Sequence, residues 1–216
     1  MAAESNAHSS QQFSFSDIIS RIAELRDEWD KTEKWIKDGE FVVGNAIIPS
    51  INEMRYAGRQ LVDACRMAQN SDSQKAMDHV LKARADLMKA RHDVVDACIS
   101  HIYDNVKEVQ NRLGAGNIQK HFPDYGKILV LIDVIGGKIS ESHENRKPRD
   151  EIYSDLMEGD MKKIFDAYSS FRKSLPLVEE NIKKDERKNW HLWIIGVTGI
   201  IIGVIGITIG ILEFVS

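Results

Sequence analysis

Apolar residues recur at helical spacing along most of this chain. Ile18, Ile22, Leu25, Trp29, Thr32 and Ile36 form the first stripe. Steps of three and four residues bring them to one helix face. The pattern predicts a helix that starts near Ser16, a candidate N-cap, and stops at Gly39. A second helix is predicted from about Pro49 to Ala68, where SINE (Ser50 to Glu53) has the form of a capping box. NSDSQ, Asn70 to Gln74, reads as a tight break. The third and longest helix is expected from Ser73 to Leu113. Its seam is Leu81, Ala85, Met88, His92, Val95, Ile99, Ile102, Val106, Val109 and Leu113, a heptad pattern that predicts coiled-coil-like packing. GAGN, Gly114 to Asn117, ends it.

ILVLIDVI (Ile128 to Ile135) has the composition of a buried strand. Ile128, Ile132, Ile135 and Ile139 nonetheless keep helical spacing within a longer run, so a fourth helix is predicted over Pro123 to Glu144. A fifth is predicted from Pro148 to about Ser174, with Tyr153, Leu156, Ile164, Tyr168, Phe171 and Leu175 inward. The prolines serve as punctuation, and the helix is expected to restart after Pro176. The expected fold is all-α: an elongated antiparallel bundle of about five helices, joined by short connections, with one C-terminal transmembrane helix.

That last helix is predicted from the uncharged run His191 to Leu212. At about 1.5 Å per residue it would rise roughly 33 Å, against about 30 Å of hydrocarbon. Trp190 and Trp193 stand where indole rings favour the headgroup level. Lys183, Lys184, Arg187 and Lys188 precede them and form the expected membrane-surface cluster. Basic residues on the near side predict a cytoplasmic N-terminal domain and a single-pass, tail-anchored topology. Gly196, Gly199, Gly203, Gly206 and Gly210 fall on one stripe, and small residues let helices approach closely in lipid, so self-association through this stripe is expected. The organisation reads as a disordered N-terminal tail (1–13), a cytoplasmic helical bundle (14–175), a basic juxtamembrane helix (176–190), the transmembrane span (191–212) and a short far-side tail (213–216).

Composition narrows function mainly by exclusion. The formal net charge of −4 does not favour a nucleic-acid partner. Two separated cysteines, Cys65 and Cys98, are not a disulfide framework, and both read as small core residues. MAAESNAHSSQQ lacks the apolar stretch of a secretory signal. No phosphate-binding glycine loop, zinc-binding HExxH or GxSxG nucleophile motif occurs. All-helical RNA-cleaving domains need a set Arg-to-His spacing; Arg84 to His92 exceeds it and Arg187 to His191 falls short. No catalytic, cofactor-binding or metal-ligating set is therefore expected. His92 stands out because it falls in the long seam. Asp96, one turn on, is its expected partner, and the two form a candidate polar seam or switch.

A helical domain with a C-terminal anchor resembles two known classes in outline. DLMEGD (Asp155 to Asp160) lacks the leucine that anchored apoptosis regulators carry ahead of their aspartate. Pro176 interrupts the heptads that a SNARE needs up to the membrane. Neither assignment is made. The expected function is non-enzymatic: a membrane-tethered, self-associating scaffold or signalling module whose bundle meets a protein partner. The alternative is a membrane-disrupting cell-death or defence effector, as in bacterial effectors of similar architecture. A metal or nucleic-acid enzyme ranks third.

Overall fold

A computed structural model describes residues 13–144 and 149–215, with side chains described through Ile200 and at Ile202. The fold is all-helical, with no strand among the described residues. It comprises α1 (Phe15–Val43), α2 (Ile48–Gln69), α3 (Ser73–Leu113), α4 (Ala115–His121), α5 (Tyr125–Glu144), α6 (Arg149–Asp155), a π-helical turn (Leu156–Asp160) and α7 (Met161–Val215). ILVLIDVI is helical, within α5.

The described residues fall into two compact units. The first comprises those up to Asp104 together with Leu131–Phe165. The second comprises Asn105–Val130 and those from Asp166 onward.

In the first unit, α2 and α3 run antiparallel. Ser50 Oγ donates to the Ala90 carbonyl at 2.7 Å, and His79 Nδ1 meets Gln60 Oε1 at 2.6 Å. Moving up α2 therefore moves down α3. In that register Ser50, Ala57 and Ala64 oppose Ala90, Ala83 and Ala76, and all six are fully buried. Small residues at seven-residue intervals let the two backbones approach closely.

Helix α1 runs parallel to α3 on another side. Arg91 Nε donates to Thr32 Oγ1 at 2.7 Å, and seven residues further along both helices Gly39 lies beside Cys98 and Val94. A Cβ on Gly39 would stand 2.7 Å from Val94 Cγ1, 3.0 Å from Ile47 Cδ1 and 3.1 Å from Cys98 Sγ.

Several expected boundaries move. Helix α1 begins at a capping box of Ser14 and Asp17, not at Ser16. It ends at Gly44, whose φ of 76° is left-handed; Gly39 is a packing glycine within the helix. Ser50 is not a cap: Ile47 precedes the first turn, Pro49 lies within it, and the Ser50 hydroxyl is spent on α3. The expected α3 seam holds from His92 to Val109. Before it, Leu81 and Ala85 are exposed and the buried row is Ala76, Val80, Ala83, Leu87, Ala90 and Val94. The closely packed face selects small residues, whereas reading for large aliphatic ones selects its neighbour. Cys98 is buried as expected, but Cys65 is exposed. Pro176 lies inside α7, so no restart occurs there. Nearby Ser174 Oγ donates back to Ser170 O and Phe171 O, while the carbonyl that Pro176 leaves without its helical donor is that of Arg172.

In the second unit, Phe171 packs on Phe122 and Tyr125 at ring separations of 5.5 and 5.8 Å. Short α4, which the hydrophobic pattern did not reveal, carries buried Ile118 into this core. Arg112 pairs with Glu179 at 2.7 Å.

The transmembrane helix is not supported by the described residues: among them, no helix is long and apolar enough to cross a membrane. The backbone of α7 is helical to Val215, but continuous side-chain description of the uncharged run ends at Ile200. Ten residues of helix rise only about 15 Å, roughly half the hydrocarbon thickness. Gly203, Gly206 and Gly210 fall outside the described side chains, as does the expected tail before Phe13.

Gly39→Ala should lower stability by about 1–2 kcal/mol, because overpacking against stiff Val94 outweighs the roughly 1 kcal/mol gain in helix propensity. Gly137→Ala, with open space around its Cβ position, should instead raise it. Urea unfolding of both variants checks this; a stabilised Gly39→Ala protein contradicts the close contact.

Candidate functional site

A cleft of about 890 Å³ opens in the first unit between α1, α3 and the α6–π–α7 segment. Helix α1 presents Glu28, Lys31, Trp35 and Asp38 at helical spacing. Helix α3 presents Arg84, Met88, Arg91 and His92. The third wall includes Asp150, Tyr153 and Met157, then Lys162 and Phe165 at the start of α7. The π-helical turn brings consecutive Leu156 and Met157 into buried positions. Such turns recur at functional sites.

The floor is a hydrogen-bonded charge network. Arg91 Nη2 donates to the Glu28 carbonyl at 3.0 Å, while its Nε donates to Thr32. Thr32 is fully buried, and its own hydroxyl donates to Glu28 O at 2.7 Å. The Glu28 carboxylate lies 2.7 Å from Arg84 and 3.6 Å from Arg91, so one acid serves two guanidiniums. Burial lowers the pKa of Arg91, an effect that Glu28 opposes.

His92 and Asp96 both lie here, but not as a pair. Tyr153 Oη donates to Asp96 Oδ1 at 2.6 Å, and the Tyr153 ring lies on His92 with centroids 4.0 Å apart. Burial, then the hydrogen bond to Asp96, pushes the Tyr153 hydroxyl pKa up to about 12. The His92 Nε2 edge faces Asp150 at 3.4 Å, yet their alignment gives no hydrogen bond, and Nε2 is buried without a partner. Arg149, whose guanidinium lies 5.5 Å from the Tyr153 ring centre, also has a buried Nε with no partner. Burial, with Arg149 and Arg91 nearby, holds the His92 pKa down at about 4, against the pull of Asp150. His92 is therefore neutral at pH 7. Sequence spacing found Asp96 but not Tyr153 or Asp150, which come from a helix more than fifty residues later.

The expected membrane-surface residues lie on α7 in the second unit. Lys184 pairs with Glu180 at 2.7 Å. Asp185 turns to Lys120 and His121 on α4, and the Lys120 hydrogen bond leads in lowering its pKa. That removes one of the two acids that would dilute the cluster. Lys183, Arg187 and Trp190 line a shallow groove on this helix, Lys188 is exposed beside it, and Trp190 stacks on Trp193 at 5.3 Å. Gly196 and Gly199 have open space around them. No group of His, Cys, Asp and Glu suited to holding a metal ion occurs among the described residues.

No family model, curated protein or solved structure matches the chain.

A buried neutral histidine sets a pH dependence. The unfolded chain takes up the proton near pH 6.5 and the folded chain only near pH 4. Stability is thus lost as pH falls through this window, by up to about 3 kcal/mol. His92→Gln should flatten the melting-temperature profile between pH 6.5 and 4. Parallel profiles for the variant and the parent would contradict a neutral, buried His92.

Proposed function

We propose that this chain is a membrane-tethered, self-associating helical module that acts as a scaffold or in signalling rather than in catalysis. The observation that carries this reading is α7: one unbroken helix contributes Lys162 and Phe165 to the cleft and continues into the uncharged, glycine-striped run. That run, His191 to Leu212, is the proposed transmembrane anchor, with its basic flank holding the bundle on the cytoplasmic side. Open space at Gly196 and Gly199 leaves room for a second copy of the helix. The Thr198 hydroxyl donates to Ile194 O at 2.7 Å, an arrangement that suits a lipid-facing helix. Exposed Phe41 and Ile48, on either side of the α1–α2 turn, support contact with a protein partner.

Two measurements test the reading. The full chain should stay with membranes through alkaline extraction; release into the supernatant would remove the anchor. Energy transfer between labelled copies in vesicles should fall severalfold for Gly199→Ile while insertion persists. Unchanged transfer would remove the glycine stripe as the assembly surface. Depolarisation of cells by the full chain, abolished by Gly199→Ile, would replace the scaffold reading with that of a membrane-disrupting effector.

A further inference from the structure

The cleft in the first unit has features that packing alone does not require. His92 is 5% exposed, lines the cleft and keeps an N–H or lone pair at Nε2 without a partner. A buried polar atom left unpaired costs about 1–3 kcal/mol, so its persistence beside open space points to a ligand group that meets it. Asp150, its nearest charged neighbour, is largely exposed and misaligned.

Charge selects the ligand's sign. At the floor, Arg84 and Arg91 share the single Glu28 carboxylate. Within the Arg84–Arg91–Glu28 group one guanidinium charge is left over. Elsewhere on the lining, Lys31, Lys34 and Lys162 stand against Asp38, Asp150, Glu151 and Glu158. The positive excess is thus local to Arg84 and Arg91, of which Arg91 is the buried one and Arg84 the exposed one. One stretch of the wall is apolar: Trp35 and Phe165 pack together at 6.4 Å, and Met88 and Met157 are adaptable fillers. The volume of about 890 Å³ matches small-molecule sites, which run from about 300 to 1,000 Å³, and is too small for a docked helix of several turns.

We propose that this cleft binds a small organic anion, a flat apolar body carrying one carboxylate. The carboxylate meets Arg84, Arg91 and His92 Nε2–H, and the apolar body lies against Trp35 and Phe165. Arg91 is pre-set by Thr32 and Glu28, so little side-chain freedom is lost on binding. The inference concerns the first unit alone and stands whether or not the chain is membrane-anchored.

The test is calorimetric titration of the full chain, co-purified with lipid nanodiscs, using naphthalene carboxylate and the matching neutral naphthalene methanol. Empty nanodiscs serve as the blank. The acid should bind at one saturable site, with the alcohol about tenfold or more weaker, the size of one charge-assisted hydrogen bond. Arg84→Gln, an exposed position that should leave the fold intact, should close most of that gap. His92→Gln should weaken the acid while keeping some preference over the alcohol. No saturable heat above the blank, equal affinity for acid and alcohol, or an unchanged gap in Arg84→Gln would each overturn the proposal.

Discussion

Close approach of two helices to α3 is the constraint on which the first unit depends. On one side, Ser50, Ala57 and Ala64 meet Ala90, Ala83 and Ala76. On another, Gly39 admits Val94 and Cys98. Neither contact buries much area per residue. Their value is in register: small side chains leave few ways to slide, and any larger residue forces the backbones apart. Larger apolar residues, including Leu87, Ile99 and Ile102, fill the volume around these contacts.

Register then determines chemistry. Because α1 lies parallel to α3 with Gly39 at Cys98, Thr32 falls opposite Arg91 and Glu28 is within reach of both Arg84 and Arg91. A guanidinium this buried is costly unless its donors are used, and Thr32 and the Glu28 carbonyl use them. The same geometry sets two guanidiniums beside one carboxylate at the cleft. On the opposite wall, α6 supplies Tyr153, which takes Asp96 and covers His92. The cleft's electrostatics are therefore a consequence of where small residues sit on three helices.

Much of the helical pattern was legible in the sequence, because amphipathic stripes such as Ile18, Leu25, Thr32 and Ile36 report burial directly. Legibility failed where burial depends on smallness. Heptad spacing selects Leu81 and Ala85 in place of the Ala76–Ala83–Ala90 row, and Gly39 reads as a stop signal when only the local chain is considered. Pro176 likewise reads as a break, yet α7 continues through it. For the site, His92 and Asp96 were visible by spacing on one helix. Tyr153, Asp150 and Arg149 were not, since only the tertiary fold brings α6 to α3. The π-helical turn has no strong sequence signal beyond Gly159 within LMEGD.

The α1–α3 register is the central claim, and a double-mutant cycle on Thr32→Val and Arg91→Gln tests it most directly. Stability of the parent, both single variants and the double variant would be measured by urea unfolding. The account predicts a coupling of about 1.5–3 kcal/mol, the range for a buried hydrogen bond to a charged group. Effects that add to within about 0.5 kcal/mol would mean that the two residues do not meet, and the register with everything built on it would be wrong.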